Sequence, residues 1–101
     1  MRIIAKSTLR KFWEQSGHHD AEQPLKAWFE EARRAAWKNP NDIKKQYCNA
    51  SIIKNNRVVF NIAGNKYRLI AAIQYRFGII YICFINSHRE YDKINAEEIW
   101  S

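Results

Sequence analysis

The sequence predicts an α+β fold in which two N-terminal helices pack on a twisted, mainly antiparallel β-sheet. Two patterns indicate this fold: apolar residues recur at helical spacing as far as Ala36, and from Asn49 onward they alternate or run together as in strands. The 101 residues, of which 47% are apolar, can bury a core of their own. We therefore expect one domain over residues 1–101.

A short strand and a helix are predicted first. Residues 2–5 can form the strand, and Ser7 is a suitable N-cap for a helix that ends near Gly17. The buried face of this helix is predicted from apolar residues at helical spacing: Leu9, Phe12 and Trp13. His18 and His19 follow in the connection to the next helix, where we interpret them as surface residues.

The second helix is predicted to begin at Asp20, which with Gln23 has the spacing of a capping box. It should end before Pro40, because proline disfavours a helical conformation in the residue that precedes it. Its apolar face is formed by Leu25, Trp28, Phe29, Ala32 and Ala36. We interpret Trp28 and Trp37 as packing residues rather than as a platform on which nucleic acid bases stack.

Four strands are predicted in the second half of the chain. Residues 52–53 and 57–62 form a hairpin, and residues 66–76 follow after a second turn. In that third strand the alternation places Tyr67, Leu69, Ala71, Ile73 and Tyr75 on the core side and Lys66, Arg68, Ala72, Gln74 and Arg76 on the solvent side. Residues 79–85 are continuously apolar, which indicates a strand in the middle of the sheet, buried on both faces.

The basic residues are concentrated in one part of the chain. Between Lys38 and Arg76, eight Lys and Arg residues stand against Asp42 alone, and this surplus equals the net charge of +7. A basic segment on an otherwise balanced framework favours binding to a polyanion, although a solvated basic surface would give the same pattern.

Composition excludes several classes of protein. No stretch approaches the roughly 18 apolar residues of a membrane span, and the N-terminus lacks the apolar run of a signal peptide. We therefore expect a cytoplasmic protein that does not contact a membrane. Cys48 and Cys83 are far apart and show no zinc-binding spacing, so we expect neither a disulfide scaffold, nor a metal site, nor any cofactor.

Two groups of residues could support chemistry. Lys66 and Arg68 are two residues apart on one strand face, where they could bind one phosphate, with Lys66 as a point charge or, if its pKa is lowered, as a proton acceptor. A solvated strand face explains the pair equally well. After the last strand, Ser87 and Glu90 have capping-box spacing, which would place His88 at the start of a short helical turn.

His88 in this position has a structural and a catalytic interpretation. A lone histidine at a capped helix start is commonly structural. The catalytic interpretation gains support because Tyr91 lies on the same helical turn and a neighbouring strand presents Lys66 and Arg68. The dipole at the start of a helix also disfavours imidazolium, which would keep His88 neutral and able to accept a proton.

Metal-free cleavage of RNA fits this set of residues. RNA supplies its own nucleophile in the 2′-hydroxyl, so the protein needs a base, cations that stabilise the phosphorane, and an acid for the 5′-oxygen. DNA lacks that hydroxyl, and the mechanism would therefore be selective for RNA. The basic residues that we assign to RNA binding are Lys44, Lys45, Lys54, Arg57, Arg76, Arg89 and Lys93.

Three segments closely resemble the HigB toxins of bacterial type II toxin-antitoxin systems: residues 37–45, the run from Arg57 to Ile70, and the block from Asn86 to Lys93. The resemblance covers nearly the whole chain. It implies a RelE-like toxin fold and an mRNA endoribonuclease activity, commonly exercised in the ribosomal A site. It also implies a HigA-type antitoxin that carries a helix-turn-helix domain.

The resemblance also implies roles for individual residues. Arg68 matches the arginine that stabilises the scissile phosphate, and His88 and Tyr91 match the block at the end of the strand. We assign His88 as the base, Arg68 and Lys66 as transition-state cations, and Tyr91 as a substrate-stacking or leaving-group residue. Asn61 is interpreted as a turn-supporting residue.

Two other functions remain possible from the sequence. A non-catalytic module could block translation by occupying RNA or the ribosome. A DNA-binding repressor is the weaker alternative, because the basic positions fall on strands and turns and no helix-turn-helix pattern is present.

Overall fold

The computed structural model describes residues 1–99. In chain order its elements are β1 (Arg2–Ile4), α1 (Lys6–Trp13), a 3-10 turn (His19–Ala21), α2 (Glu22–Arg34), α3 (Pro40–Gln46), β2 (Ser51–Ile53), β3 (Arg57–Ile62), β4 (Tyr67–Gln74), β5 (Ile79–Ser87) and α4 (His88–Tyr91). Among these elements, none of the helices is long and apolar enough to span a membrane.

The five strands form one sheet in the order β1-β5-β4-β3-β2. β1 pairs with β5 in parallel, and the other three pairings are antiparallel. The predicted α+β class with a mainly antiparallel sheet is therefore confirmed. The strand predicted to be central, β5, does lie inside the sheet, but the middle position belongs to β4.

The beginnings of the first two helices differ from the prediction. α1 begins at Lys6 with Ala5 as its N-cap, so Ser7 lies within the helix instead of capping it. α2 has Ala21 as its N-cap, and no side chain caps it. The capping box predicted at Asp20 is wrong, because the carboxylate of Asp20 instead accepts hydrogen bonds from Lys66 and Tyr67 in the sheet.

A third helix, α3, was not predicted. Asn39 is its N-cap and accepts a hydrogen bond at Oδ1 from the backbone N–H of Asp42, at 3.1 Å, and Pro40 occupies the first turn. α2 ends at Arg34, so Ala36 lies beyond it. The prediction of two N-terminal helices is thus incomplete: three helices precede the β2–β3 hairpin.

One face of the sheet, here called the helical face, is covered by the helices. From β4 it includes Leu69, Ala71 and Ile73, all fully buried. Aromatic rings dominate the packing around Phe60, whose ring centroid lies 5.2 Å from that of Trp28 and 6.1 Å from that of Trp37. The interpretation of both tryptophans as packing residues is confirmed.

The opposite face, here called the C-terminal face, is covered in part by the C-terminal segment (residues 92–99). Ile70 and Ala72 are buried on this face, so the prediction that Ala72 lies on a solvent side is wrong. The residues that pack over them from the segment are Ile94, Ala96 and Ile99. Apolar residues of that short segment thus bury part of a face that the strand alternation alone had suggested was exposed.

Candidate functional site

Three polar side chains form a row across β3, β4 and β5. Asn61 lies opposite Arg68 in one ladder, and Arg68 lies opposite Asn86 in the next. Directly opposed residues of an antiparallel pair share a face, with their Cβ atoms roughly 4.5–5.5 Å apart. The three residues, here called the polar row, are partly exposed, whereas Val59 and Ile70 in the neighbouring row are buried. The polar row therefore lies at the open end of the C-terminal face.

The turn between β3 and β4 holds two members of the polar row. Arg68 Nη1 donates to the carbonyl oxygen of Asn65 at 2.9 Å, and Asn61 Nδ2 donates to Asn65 Oδ1 at 3.3 Å. The turn spans the four residues between Ile62 and Tyr67 and takes left-handed backbone angles at Ala63 (φ 54°) and Gly64 (φ 68°). Arg68 has further N–H groups on Nε and Nη2, and these could bind phosphate oxygens.

Lys66 lies in this turn, one residue before β4, and not on the strand as predicted. Its Nζ forms an ion pair with Asp20 in the 3-10 turn, and the same carboxylate accepts a hydrogen bond from the Tyr67 hydroxyl at 2.5 Å. The hydrogen bond from Lys66 lowers the pKa of Asp20, and the bond to Asp20 raises the pKa of Lys66. Lys66 is therefore held as an ammonium, which suits a cation and not a proton acceptor.

The short helix after β5 begins as predicted. Ser87 is the N-cap of α4, and its Oγ accepts a hydrogen bond from the backbone N–H of Glu90 at 3.3 Å. His88 occupies the first position of the helix. Only this half of the capping box forms, since the backbone N–H of Ser87 donates to Asn86 Oδ1.

His88 lies beside the turn that carries Lys66. Its backbone N–H donates to the carbonyl oxygen of Lys66 at 3.1 Å, which continues the β4–β5 ladder by one residue. The imidazole is about half exposed, and its Nδ1 lies 3.7 Å from Asp92 Oδ2.

Tyr91 lies three residues after His88, at the boundary between the covered and the open parts of the C-terminal face. It is partly buried and packs with the cluster of Val59, Ile70 and Cys83. The side chain of Tyr91 is therefore partly fixed by packing and partly exposed.

The basic residues assigned to RNA binding fall into three groups. Lys44 and Lys45 are exposed on α3, and Arg89 and Lys93 are exposed on or just after α4. Lys54 and Arg76 occupy turns at the other end of the sheet. By strand length, the turn that carries Lys54 is roughly 16 Å and Arg76 roughly 26 Å from the polar row.

The RNA-binding assignment of Arg57 needs correction. Arg57 is only 4% exposed, and its guanidinium donates to the carbonyl oxygens of Asn55 and Ile99. It anchors the C-terminal segment from inside the protein and lies away from the surface that a nucleic acid could reach.

Sequence reasoning also misplaced or missed three residues. His18, predicted at the surface, stacks on Phe12 with 4.2 Å between ring centroids, and its Nδ1 is buried; His19 is exposed as predicted. Asp20 was read as a helix cap, and Asn86 was not selected at all. The hairpin register, which sets Asn86 opposite Arg68, was the signal that could have identified it.

The part of the chain that forms the polar row and the short capped helix matches a known protein family. A family model described as the RelE-like toxic component of a toxin-antitoxin system matches residues 21–94, from the start of α2 to just beyond α4. Comparison with curated proteins finds no significant match. The fold and the match define a toxin of the RelE-like class.

The chain belongs to the HigB toxin family. As the toxic component of a toxin-antitoxin system, it has an antitoxin as its partner. The matched residues include the whole polar row, the turn that holds Arg68, and His88 and Tyr91. Within residues 1–99, no group of three or more His, Cys, Asp or Glu side chains could hold a metal ion.

Proposed function

We propose that this toxin is an mRNA endoribonuclease that acts on messages in the ribosomal A site and so inhibits translation. The observation that carries the proposal is the position of Arg68, which lies in the middle of an open polar row with His88 at the end of the adjoining strand. A cation and an imidazole thus lie at the same end of the sheet, where both are at least partly exposed and an RNA strand can reach them.

The proposed reaction needs no metal. His88 accepts the proton of the 2′-hydroxyl, and the resulting oxyanion attacks the adjacent phosphorus. Arg68 donates hydrogen bonds to the non-bridging oxygens as negative charge builds up, and the ammonium of Lys66 adds a fixed positive charge nearby. The bond to the 5′-oxygen breaks, and that oxygen takes a proton from the hydroxyl of Tyr91 or from water, which regains one from solvent. The products are a 2′,3′-cyclic phosphate and a 5′-hydroxyl.

Tyr91 and the exposed basic residues serve binding in this proposal. Tyr91 stacks on the substrate or assists the leaving group from its partly buried position. Lys44, Lys45, Arg89 and Lys93 attract RNA or ribosome through their charge. The cognate antitoxin is proposed to be of the HigA type with a helix-turn-helix domain, and the toxin to act in the cytoplasm.

The test compares the wild-type protein with His88→Gln in a translating extract. Wild type should cut mRNA and leave 5′-hydroxyl ends, whereas His88→Gln should cut roughly 10²- to 10⁴-fold more slowly because the general base is lost. His19→Gln is the matched control, since His19 is an exposed histidine outside the site, and it should cut like wild type.

Two results would each contradict one part of the proposal. Synthesis that stops while mRNA stays full length would show that the toxin blocks translation by occupancy and not by cleavage. Cuts that persist unchanged in His88→Gln would remove His88 from the mechanism.

A further inference from the structure

A hollow of about 290 Å³ lies at the outer edge of β3, next to the polar row. β2 pairs with β3 only from Arg57 to Val59, so the last residues of β3 extend beyond their partner strand. The loop of residues 46–50 forms the opposite wall. The hollow is therefore a gap between an open strand edge and a loop.

The loop wall is held in place by three hydrogen bonds. Lys44 Nζ donates to the carbonyl oxygens of Cys48 at 2.6 Å and Ala50 at 2.8 Å, and Trp37 Nε1 donates to Gln46 Oε1 at 3.0 Å. The ring of Tyr47 packs edge-on against Phe60 with 5.3 Å between centroids. The shape of the hollow is thus fixed before any ligand arrives.

The lining combines an aromatic ring with amide groups. Tyr47 is partly exposed, and Gln46, Asn49 and Asn61 contribute side-chain amides. An aromatic face and a few hydrogen-bonding groups are what proteins use to bind an unstacked RNA base. With a volume of about 290 Å³, the hollow has room for one such base.

Asn61 joins the hollow to the polar row. It lines the hollow and also lies opposite Arg68, on the neighbouring strand. Strands are spaced roughly 4.8 Å apart, so the hollow is only about two strand spacings from the strand that bears Arg68. A nucleotide chain with a phosphate at Arg68 can therefore place an adjoining base in the hollow. Lys44 and Lys45 directly precede the loop, in the last turn of α3, and their charge would attract the continuing chain.

We propose that this hollow is the binding site for one RNA base next to the scissile phosphate. The proposal rests on the proposed endoribonuclease function and adds to it a substrate contact on the loop of residues 46–50. Base selectivity would then reside in the amides of Gln46 and Asn49 and in the exposed edge of β3, apart from the residues that perform the chemistry.

Cys48 provides a direct test, because its thiol is exposed on the wall of the hollow whereas Cys83 is buried. Alkylation of the native protein therefore reports on Cys48. The probe is a short 2′-O-methyl oligoribonucleotide, which cannot be cleaved by 2′-hydroxyl attack. At an oligonucleotide concentration ten times the dissociation constant, only about one-tenth of the protein is free. The rate of alkylation of Cys48 should therefore fall about tenfold.

Two controls isolate the base. The same oligonucleotide with an abasic residue beside the central phosphate should protect Cys48 much less. In the double variant Cys48→Ser with Ser16→Cys, the reactive thiol lies in the α1–α2 connection, and its alkylation should not change. As a second measurement, Cys48→Trp should fill the hollow and weaken oligonucleotide binding about tenfold, whereas Ser16→Trp should not.

The outcomes separate this proposal from the endoribonuclease proposal. If Cys48 is alkylated at the same rate with and without oligonucleotide, the base site is wrong, even if the toxin cuts mRNA. If the oligonucleotide protects Cys48 but wild-type toxin leaves mRNA full length, the base site stands and the nuclease proposal fails.

Discussion

The two faces of the sheet are used differently, although they belong to the same strands. On the helical face, Leu69, Ala71 and Ile73 of β4 are all fully buried beneath helices. On the C-terminal face, Ile70 is buried under a short segment, but Arg68, two residues earlier, remains partly exposed. In β4, the helical face packs beneath the helices, whereas the C-terminal face is part packed and part open at the candidate site.

The difference follows from what covers each face. Three helices form a broad layer on the helical face, while residues 92–99 pack over only part of the other face. The part it leaves uncovered is where β4 begins and β5 ends. The open polar row removes little buried apolar area, because Val59 and Ile70 in the neighbouring row are buried without it.

The largest change in the free energy of unfolding is predicted for substitutions at two adjacent residues of β4 whose side chains point to opposite faces. Leu69 and Ile70 are both fully buried. Replacing either by alanine removes similar apolar volume, and such changes cost roughly 2–5 kcal/mol. Leu69→Ala should lie near the upper end because the helices cannot collapse into the cavity, and Ile70→Ala near the lower end because the C-terminal segment can. Urea denaturation measures both, and an equal or larger loss for Ile70→Ala would contradict the comparison.

A smaller effect is expected from the anchor of the C-terminal segment. Arg57→Met keeps the apolar stem but removes the donors to the carbonyl oxygens of Asn55 and Ile99, which should lower the free energy of unfolding by about 2 kcal/mol. Arg76→Met is the control, since Arg76 is exposed in a turn and should change stability by less than about 0.5 kcal/mol. Equal stability of the two variants would show that the segment does not depend on Arg57.

The smallest effect concerns the link between the 3-10 turn and the sheet. The pKa of Asp20 is lowered by Lys66, so its contribution to stability is present above the ordinary aspartate pKa and is lost as the pH falls through the lowered value. Asp20→Asn should therefore be less stable than wild type at neutral pH, and the difference should vanish in acid.

Thermal unfolding across this pH range measures the effect of Asp20→Asn. Glu98→Gln, a change at an exposed carboxylate of the C-terminal segment, should keep the pH dependence of wild type. A pH dependence in Asp20→Asn that matches wild type would show that the ion pair does not support the fold.

Local patterns predicted the second half of the chain well. The bounds of β3 agree with the prediction, because Asn55 and Asn56 take left-handed angles in the three-residue turn between Ile53 and Arg57. The N-cap of α4 at Ser87 was also predictable, since the cap and its partner Glu90 are three residues apart in the sequence. Once the register of the hairpins is known, the proximity of Arg68 to the end of β5 follows.

The features that sequence reasoning missed depend on distant or sparse contacts. Asp20 pairs with Lys66, 46 residues away, and no local pattern separates this role from helix capping. α3 contributes Ile43 as its one buried residue, so it has no helical periodicity to detect. The apolar residues of the C-terminal segment are isolated among polar ones, so no local pattern predicts that they pack on the sheet.

We propose that the open part of the C-terminal face performs chemistry, and we expect it to contribute little to stability. Measuring mRNA cleavage and thermal unfolding on one variant, Arg68→Gln, tests it most directly. Removal of a charge-stabilising donor should slow cleavage roughly 10²- to 10³-fold, while the free energy of unfolding changes by less than about 0.5 kcal/mol. Cleavage at the wild-type rate, or a loss of cleavage that merely follows unfolding, would contradict the claim.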